Sequence, residues 1–409
     1  MEKVVVTGMG AVSALGHDVA SNLAAMHAGT CGIRPISHFD ASQTGVSVAG
    51  EVPDFDPSLR IPKKLSKRLD RFTQFALFSA IEAVEAAALP ETLAGDRLAV
   101  IYGSGIGGLS TIETQVTKMN AKGAGRISPL FVPMAIINMA PGVLAQYFHA
   151  HGESYAVVTA CASATSAIGQ AMQCIQAGRA DVVITGGAEA SINQIGIGGF
   201  AALTALATAS DPHAASLPFA RERGGFVMGE GAGTLVLESE THAKARGAKI
   251  LGYVAGFGAT SDAYHMTAPD PSGQPQASAM RQALATAGLT PEQVGYVNAH
   301  GTGTQANDAM EAKALGQVFG EAGVAVSSTK GLSGHLLGAA GALEAILTLG
   351  GLNDGALPPN VSGEPDPECV VDLVTATDRQ PKTQWALSNS FGFGGHNAVL
   401  ALGGARVYG

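Results

Sequence analysis

Residues 157–172 read VVTACASATSAIGQAM, and residues 326–341 read VSSTKGLSGHLLGAAG. Each stretch passes from a β-branched run through a turn of small residues into a segment rich in Ala and Gly, which is typical of a strand followed by a helix. A weaker similarity joins residues 3–16, KVVVTGMGAVSALG, to residues 249–262, KILGYVAGFGATSD. We therefore expect two similar halves that pack face to face and bring the two turns together.

The same alternation of strand-like and helix-like text continues along the chain. Strand-like runs are found at Val4–Thr7, Leu98–Tyr102, Ala156–Thr159, Asp181–Thr185 and Tyr296–Ala299. Because Ala-rich stretches separate these runs, we predict an α/β fold with buried strands. No Pro- or Ser-rich linker divides the chain. We predict an N-terminal half over residues 1–248 and a C-terminal half over residues 249–409.

Composition and charge narrow the class of protein. Of 409 residues, 46% are hydrophobic and 14% are charged, which suits a large buried core. The net charge of −9 disfavours nucleic acid as a partner. The chain starts with a strand-like stretch rather than a signal peptide, and no run of ~20 apolar residues suggests a membrane segment. Because its four cysteines form no CxxC pair, we expect a cytoplasmic protein.

Cys161 is the candidate nucleophile. We predict that a helix starts at Ala162, and the free N–H groups and dipole at its N-terminus favour a thiolate. The alternative is that Cys161 is a small buried hydrophobic residue, which is the commoner role of a lone cysteine. Two histidines flanked by glycine, His300 and His335, also follow strand-like runs. Lys330 precedes His335 by five residues, and we predict that Glu344 lies on the same helix as His335.

Two other kinds of site can be weighed on the same residues. Zinc could bind Cys161, His300 and His335 by ligand type, but a zinc site normally includes a close ligand pair and this set has none. Residues 103–108 match G-x-G-x-x-G. A dinucleotide fold also needs an acidic residue ~20 positions later, and no Asp or Glu occurs between Glu113 and Glu153. We therefore favour neither site.

Residues 60–71, RIPKKLSKRLDR, hold six of the 24 basic residues. On one continuous helix, Lys64, Lys67, Arg68 and Arg71 would share a face. A solvated helix face is the simpler explanation. A basic patch on an acidic protein nevertheless indicates an acidic protein partner, because the local field steers encounter.

Taken together, several motifs resemble the β-ketoacyl-acyl-carrier-protein synthase family, and most of all its elongating enzymes. They are VVVTGMGAVSALG near the start, TACASATSAIG around Cys161, PFARERGGFVMGEGAG at 218–233, and then NAHGTGT, STKGLSGHLLGAAGALE and NSFGFGGHN. The resemblance covers nearly the whole chain. It implies a thiolase fold, with five α-β-α-β-α layers formed from two similar halves. It also implies a homodimer, an acyl-carrier-protein partner and no required cofactor.

The resemblance also implies roles for individual residues. The catalytic set would be Cys161, His300 and His335, with Lys330 and Glu344 as the family's conserved Lys and Glu. Backbone N–H groups of Cys161 and Phe393 would hold the oxyanion, and Phe393 would gate the site. The implied substrate contacts are Thr302, Thr304, Ile106, Phe200 and Phe391. Carrier-protein docking would use Lys63, Lys64, Lys67 and Arg68. A Na⁺ or K⁺ ion would lie near Asn298 and Ser388.

The implied reaction is a decarboxylative condensation that lengthens an acyl chain by two carbons. One alternative is a ketosynthase of a polyketide or specialised lipid pathway. A second is a non-catalytic partner subunit, which the intact Cys161, His300 and His335 disfavour. A third is a thiolase, which would need a second catalytic cysteine near residues 392–397, where the sequence has none. Two departures from the family pattern, Ala164 and His396, bear on substrate fit.

Overall fold

The computed structural model describes residues 2–90, 93, 95–320, 323–361 and 363–408. The strands found in these residues are β1 Val4–Val12, β2 Arg34–Pro35, β3 Val48–Ala49, β4 Leu98–Gly103, β5 Ser154–Val157, β6 Val182–Glu189, β7 Gly231–Ser239, β8 Gly252–Ser261, β9 Tyr296–Asn298, β10 Ala325–Ser327, β11 Asp372–Leu373, β12 Trp385–Gly392 and β13 His396–Gly404. The five strand-like runs of the sequence lie within or beside β1, β4, β5, β6 and β9.

Helices follow most of the long strands. They are α1 Val19–His27, α2 Lys63–Ser66, α3 Arg71–Ala87, α4 Leu109–Lys122, α5 Phe131–Ala135, α6 Met139–Tyr147, α7 Ser163–Gln176, α8 Gln194–Ala202, α9 Glu240–Ala245, α10 Gln274–Ala287, α11 Gln305–Phe319, α12 Lys330–Ser333 and α13 Ala340–Asp354. Within the described part of the chain, no helix is both long and apolar enough to cross a membrane.

The main sheet repeats one strand pattern. Its order is β11-β10-β9-β12-β13-β8-β1-β7-β6-β4-β5. In the N-terminal half, β7 is antiparallel to β1 and β6, whereas β4 is parallel to β6 and β5. In the C-terminal half, β13 is antiparallel to β8 and β12, whereas β9 is parallel to β12 and β10. The two patterns meet where β1 pairs with β8 over two residue pairs.

Helices fill three layers around these strands. The central layer is α7 and α13, which contact each other, and each contacts strands of both halves. Helices α3 and α6 cover the outer face of the N-terminal strands, and α10 and α11 lie beyond the C-terminal strands. The result is a five-layered α-β-α-β-α arrangement whose central helix α13 is almost completely buried.

Residues 6–10, VTGMG, and residues 254–258, VAGFG, share the motif V-x-G-x-G. The close approach of a helix to each strand explains these glycines. A Cβ atom on Gly10 of β1 would collide with the carbonyl oxygen of Ser79 in α3. A Cβ on Gly258 of β8 would collide in the same way with the carbonyl oxygen of Ala279 in α10. Both halves thus require a residue without a side chain where the outer helix touches the sheet. The predicted boundary between residues 248 and 249 lies in the loop between α9 and β8.

The prediction of one basic helix over residues 60–71 is wrong. Helix α2 ends at Ser66, and α3 begins only at Arg71. The break is caused by Asp70, whose carboxylate caps α3 at Phe72 and also accepts hydrogen bonds from Thr111. Arg71 therefore leaves the basic face and forms a two-pronged ion pair with Glu230.

Candidate active site

One cavity of about 240 Å³ brings together residues from both halves of the chain. Eight of the predicted catalytic and substrate-binding residues line this cavity: Cys161, Phe200, His300, Thr302, Thr304, His335, Phe391 and Phe393. They come from the loops after β5, β9 and α12, from α8 and from the β12–β13 hairpin. The two strand–turn–helix stretches therefore meet at one place.

Cys161 lies on a sharp bend between β5 and α7. Ala160 has a positive φ of 50°, which is a strained conformation for a residue with a Cβ. Ser163 stabilises the bend, because its hydroxyl donates to the carbonyl of Ala160 at 2.6 Å and accepts from the N–H of Thr159 at 2.9 Å. The bend turns the cysteine side chain into the cavity just ahead of the helix N-terminus.

The surroundings of Cys161 oppose the thiolate that its position at the helix N-terminus favours. Burial raises the pKa of the Cys161 thiol to about 12, and the carboxylate of Glu189 acts in the same direction. The charge of Lys330 and the backbone N–H of Phe393 lower this pKa but do not offset burial. Cys161 is therefore a neutral thiol in the free protein, and acyl transfer must include removal of its proton.

The two cavity histidines are neutral. Their ring centroids are 5.3 Å apart and the rings are nearly perpendicular. Burial lowers the pKa of both His300 and His335 well below the usual value, and the positive charge of Lys330 acts in the same direction. In His335, Nδ1 accepts the N–H of Leu337 at 3.2 Å, so the ring proton lies on Nε2. Each neutral ring carries one N–H, which suits it to stabilise a developing negative charge on a substrate oxygen.

Lys330 and Glu344 form a buried ion pair behind the cavity lining. Their side chains are almost fully enclosed, and Glu344 Oε1 accepts a hydrogen bond from Lys330 Nζ. Burial raises the pKa of Glu344, and Lys330 partly opposes that shift. The two residues come from α12 and α13, with His335 in the turn between them. The prediction of a single helix carrying His335 and Glu344 is therefore wrong, because Leu337 has a positive φ of 49° and α13 begins only at Ala340.

Two acidic residues that the sequence interpretation missed hold the loop of His300. Glu311 accepts the backbone N–H groups of His300 at 2.9 Å and Gly301 at 2.7 Å. Asp308 accepts the N–H of Gly303 and that of Phe219. Both acids lie in the first two turns of α11, directly after the loop. Their spacing of three residues on one helix face was the available signal.

A third missed acid, Glu189, organises the opposite side of the cavity. Its buried carboxylate accepts N–H groups from Gly105, Ile106 and Gly107. It also accepts the N–H of Gly338, three residues after His335. The loop that matched a dinucleotide motif therefore wraps around a carboxylate of the protein itself. No signal in the sequence pointed to this role, because Glu189 simply ends an apolar strand.

The β12–β13 hairpin brings Phe393 to the nucleophile. Residues 393–395 form its tip, and Phe391 lies in β12 with its ring 5.8 Å from that of His300. A Cβ on Gly392 would lie 2.7 Å from the carbonyl oxygen of Thr159 and 3.1 Å from the nitrogen of Cys161. Glycine at this position thus allows the Phe393 N–H to reach the thiol.

An apolar surface lies beside Cys161, and its Phe226 ring also contacts that of His335 at 5.2 Å. Ile106, Phe200 and Cys161 pack against one buried cluster, whose members include Ile197, Phe226 and Leu337. The Phe200 ring lies 5.6 Å from that of Phe226 and 6.3 Å from that of Phe393. On the polar side, Thr302 and Thr304 share a hydrogen bond of 2.9 Å between their hydroxyls. The cavity therefore has one apolar and one hydrogen-bonding side.

The remaining predicted residues lie outside the cavity. Lys63, Lys64, Lys67 and Arg68 are exposed around α2. Asn298 and Ser388 are buried register partners on the parallel strands β9 and β12. Within the described residues, no group of three or more His, Cys, Asp or Glu side chains is placed to hold a metal ion. The zinc alternative thus lacks its ligand set.

A cysteine and two neutral histidines in one cavity of a five-layered α/β fold define the class of carbon–carbon condensing enzymes. The chain belongs to the β-ketoacyl synthase family: residues 1–243 match the model described as "Beta-ketoacyl synthase, N-terminal domain", and residues 251–364 match its C-terminal domain. These matches confirm the predicted family.

Individual relatives agree over the full length. The chain is 46% identical over 405 residues to 3-oxoacyl-[acyl-carrier-protein] synthase 2 of Staphylococcus aureus, which covers 98% of each protein. It superposes on the ishigamide ketosynthase/chain length factor with a TM-score of 0.92 and 35% identity over all of both chains. For a type II PKS ketosynthase in complex with its acyl-carrier protein, the TM-score is 0.90 and the identity 30%, over 98% and 99% of the chains. The predicted thiolase fold is confirmed.

Proposed function

We propose that this protein is a 3-oxoacyl-[acyl-carrier-protein] synthase of the elongating type. It joins an acyl thioester to malonyl-acyl-carrier protein and releases CO₂, which lengthens the chain by two carbons. The observation that carries the proposal is the meeting of Cys161, His300 and His335 in one cavity, with both imidazoles neutral.

The first half-reaction is acyl transfer to Cys161. Its sulfur bonds to the acyl carbon while the thioester bond to the carrier arm breaks, and the departing arm thiol takes up the proton that Cys161 loses. The oxyanion that forms accepts the backbone N–H groups of Cys161 and Phe393. The acyl chain then lies along the apolar surface of Ile106 and Phe200.

The second half-reaction is decarboxylative condensation. The bond between the malonyl methylene and its carboxylate breaks, CO₂ leaves, and the electron pair passes to the thioester oxygen as an enolate. That oxygen accepts one N–H from His300 and one from His335, and each such donor contributes about 3–4 kcal/mol. The enolate carbon attacks the acyl group, the bond to Cys161 breaks, and the released thiolate takes up one proton from water.

A polyketide ketosynthase is the nearest alternative, because one of the structural relatives described above is named as a type II PKS ketosynthase. Identity to the two structural relatives is 35% and 30%, against 46% to the synthase 2 of S. aureus. Sequence similarity therefore favours the fatty-acid enzyme. Analysis of the products separates the two functions. Products extended by one two-carbon unit would support the fatty-acid enzyme, whereas products with several unreduced keto groups would support the polyketide ketosynthase.

The acyl-carrier protein is the proposed protein partner. The names of the relatives refer to this partner. Lys63, Lys64, Lys67 and Arg68 offer an exposed cationic surface on a chain of net charge −9. Such a surface speeds encounter with an acidic protein. A cytoplasmic location remains a prediction of the sequence.

A Na⁺ or K⁺ ion near Asn298 and Ser388 is part of the proposal. Asn298 Oδ1, Ser388 Oγ and Glu344 Oε2 are buried oxygens with no hydrogen-bond partner among the described residues. Asn298 Nδ2 reaches the carbonyl of Glu344 at 3.5 Å, so these groups are neighbours. Oxygen ligands of this kind suit Na⁺ or K⁺. The ion would satisfy these oxygens next to the Lys330–Glu344 pair and would take part in no chemical step.

A second copy of the chain is the proposed oligomeric partner. Strand β5 ends the sheet with an open edge. Around it lie exposed apolar residues from elements in mutual contact: Val116, Leu130, Val132, Ile136, Val158 and Ile195. Apolar surface beside an open sheet edge is typical of a subunit interface. Residues 130–134 would then stand between the two acyl pockets.

Intact-protein mass spectrometry tests the proposed reaction. After incubation with hexanoyl-acyl-carrier protein, the wild type should gain one acyl group on Cys161, and Cys161→Ala should gain none. Cys174→Ala, which changes a buried cysteine of the same helix, is the matched control and should still be acylated. His300→Ala and His335→Ala should be acylated but should release CO₂ from malonyl-acyl-carrier protein at least ~100-fold more slowly.

Two outcomes would overturn the proposal. One is a wild-type protein that gains no acyl mass. The other is a histidine variant that decarboxylates malonyl-acyl-carrier protein at the normal rate. A protein that is acylated only in the presence of a second ketosynthase chain would point to the partner-subunit alternative.

A further inference from the structure

Arg223 is a buried arginine whose contacts reach the polar side of the cavity. Its side chain is 1% exposed. The guanidinium donates to the backbone carbonyls of Thr304 and Gln305, each at 3.3 Å. It also donates to the carbonyl of Ala220 at 2.8 Å and forms an ion pair with Asp366. A charge this deeply buried needs several partners to offset its desolvation.

The contacts with Thr304 and Gln305 are part of a row of hydrogen bonds between residues 223–225 and residues 303–305. Next to them, the N–H of Gly225 donates to the carbonyl of Gly303 at 3.0 Å. The side chain of Gln305 returns a hydrogen bond of 2.7 Å to the carbonyl of Arg223. The segment 223–225 thus runs alongside the loop 303–305. The position of the Thr304 backbone, and with it the Thr302–Thr304 hydroxyl pair, depends on this contact.

Asp366 anchors the other end of Arg223. It lies in residues 363–368, which cross the segment that carries Arg223. The N–H of Arg221 donates to the carbonyl of Glu364 at 2.8 Å. The N–H of Asp366 donates to the carbonyl of Phe219 at 3.0 Å. Asp308, which holds Gly303, lies 3.8 Å from Arg223 Nε. The guanidinium is therefore held between two carboxylates and cannot move without disturbing the loop.

We infer that Arg223 is a positioning residue that sets the Thr302–Thr304 pair for the amide-bearing arm of the thioester substrate, with Asp366 holding its guanidinium. The inference rests on the proposed function, because it takes an arm-linked thioester as the substrate. The two hydroxyls face a cavity whose other members carry the chemistry. A shift of the loop would therefore weaken arm binding while the reactivity of Cys161 stayed intact.

Two thioesters separate these effects. Hexanoyl-pantetheine carries the amide-bearing arm, and S-ethyl hexanethioate carries the same acyl group without it. Rates of Cys161 acylation are measured by intact mass for the wild type and for Arg223→Lys. This variant keeps the positive charge but loses the planar guanidinium group with its several hydrogen-bond donors. We expect Arg223→Lys to lower the rate with hexanoyl-pantetheine about tenfold, mainly through KM, because small misplacements of binding groups are costly. The rate with S-ethyl hexanethioate should not change.

A double-mutant cycle shows whether Arg223 acts through the threonines. In a Thr302→Ala/Thr304→Ala background, Arg223→Lys should cost less than about twofold, since the groups it positions are gone. Asp366→Asn should lower the hexanoyl-pantetheine rate in the same direction by a smaller factor, and it provides the test if Arg223→Lys does not fold. Arg379→Lys is the matched control, because Arg379 forms an ion pair with Asp372 that lies away from the loop.

Equal losses with both thioesters would overturn the inference and leave Arg223 a general structural residue. So would a tenfold loss that persists in the double-threonine background, or an unchanged rate with both thioesters in both variants. Failure of the proposed function would look different, because the wild type itself would then gain no acyl group from either thioester.

Discussion

Four buried carboxyl groups stand behind the reacting side chains. Glu189, Asp308, Glu311 and Glu344 each have a raised pKa, caused first by burial. Three of them accept backbone N–H groups from the loops that line the cavity, and the fourth pairs with Lys330. A buried carboxylate binds such donors strongly, because water does not compete for them. The loops are thereby held where the chemistry needs them.

Glu311 should make stability depend on pH. Burial raises its pKa to about 7 from a usual value of 4.5. Between these values the folded protein binds a proton that the unfolded chain has lost, so the free energy of unfolding falls as pH rises through this window. Glu311→Gln does not titrate. The difference in unfolding free energy between variant and wild type should therefore grow in the variant's favour by about 2–3 kcal/mol from pH 5 to pH 8.

Urea denaturation of both proteins at several pH values measures this difference. The other buried acids titrate equally in both proteins and cancel in the comparison. A difference that stays constant over the range would show that Glu311 does not change its ionisation there.

The hairpin of β12 and β13 and the bend before α7 act as one unit. Each is a tight structure that depends on local backbone geometry, and the two touch at Gly392. The hairpin supplies the N–H of Phe393, and the bend supplies that of Cys161. An oxyanion site made of backbone groups is only as accurate as the contact between the elements that carry them.

Gly392→Ala should separate these two elements. The added methyl group would press on Thr159 and Cys161, and the hairpin would have to shift. Losing one oxyanion donor typically lowers a rate by about 100-fold or more, so a partial shift should slow Cys161 acylation about 10- to 100-fold. Stopped reactions analysed by intact mass measure the rate.

Gly142→Ala provides the control for this substitution. A Cβ at Gly142, within α6, would meet no atom within 4 Å. This variant should acylate at the wild-type rate, with a small gain in stability of about 0.5–1 kcal/mol. Normal acylation by Gly392→Ala would argue against the backbone oxyanion site.

In the molecule as a whole, the central layer of α7 and α13 joins the two halves and delivers both reactive turns to one point. In the N-terminal half, β5 has an open edge, and exposed apolar residues lie on α4, α5 and α8 and directly after β5. An edge strand and a contiguous apolar patch are unfavourable in water. A second copy that covers both would remove this cost.

Val132→Glu should disrupt the proposed dimer. Val132 is 57% exposed in α5, and its neighbours Leu130 and Ile136 are exposed as well. A charge buried there without a partner would weaken association by several kcal/mol. Sedimentation velocity should show a shift from twice the chain mass toward the chain mass. Val370→Glu, which changes an exposed valine outside the patch, should leave the mass unchanged. A wild type that sediments as a monomer would refute the dimer.

Local sequence patterns were sufficient to predict an α/β fold of two similar halves, whereas the five-layered arrangement was predicted from the resemblance to the β-ketoacyl-acyl-carrier-protein synthase family. These patterns reflect interactions between residues close in the chain or between whole elements. They are the strand-like runs, the two strand–turn–helix stretches and the V-x-G-x-G motif of residues 6–10 and 254–258. Cys161, His300 and His335 stood out for the same reason, because each lies in a turn next to a strand. The basic segment was misjudged because a contact between Asp70 and Thr111, 41 residues apart, ends one helix and starts the next.

Long-range contacts account for what could not be predicted from the chain alone. The thiol state of Cys161 depends on burial by both halves, and Glu189 reaches Gly338 across 149 residues. Arg223 meets Asp366 across 143 residues. The free energy of a buried charge depends on the partners that surround it in space, and periodicity along a sequence carries no information about them. The sequence thus indicates which groups can react, and folding sets their ionisation and spacing.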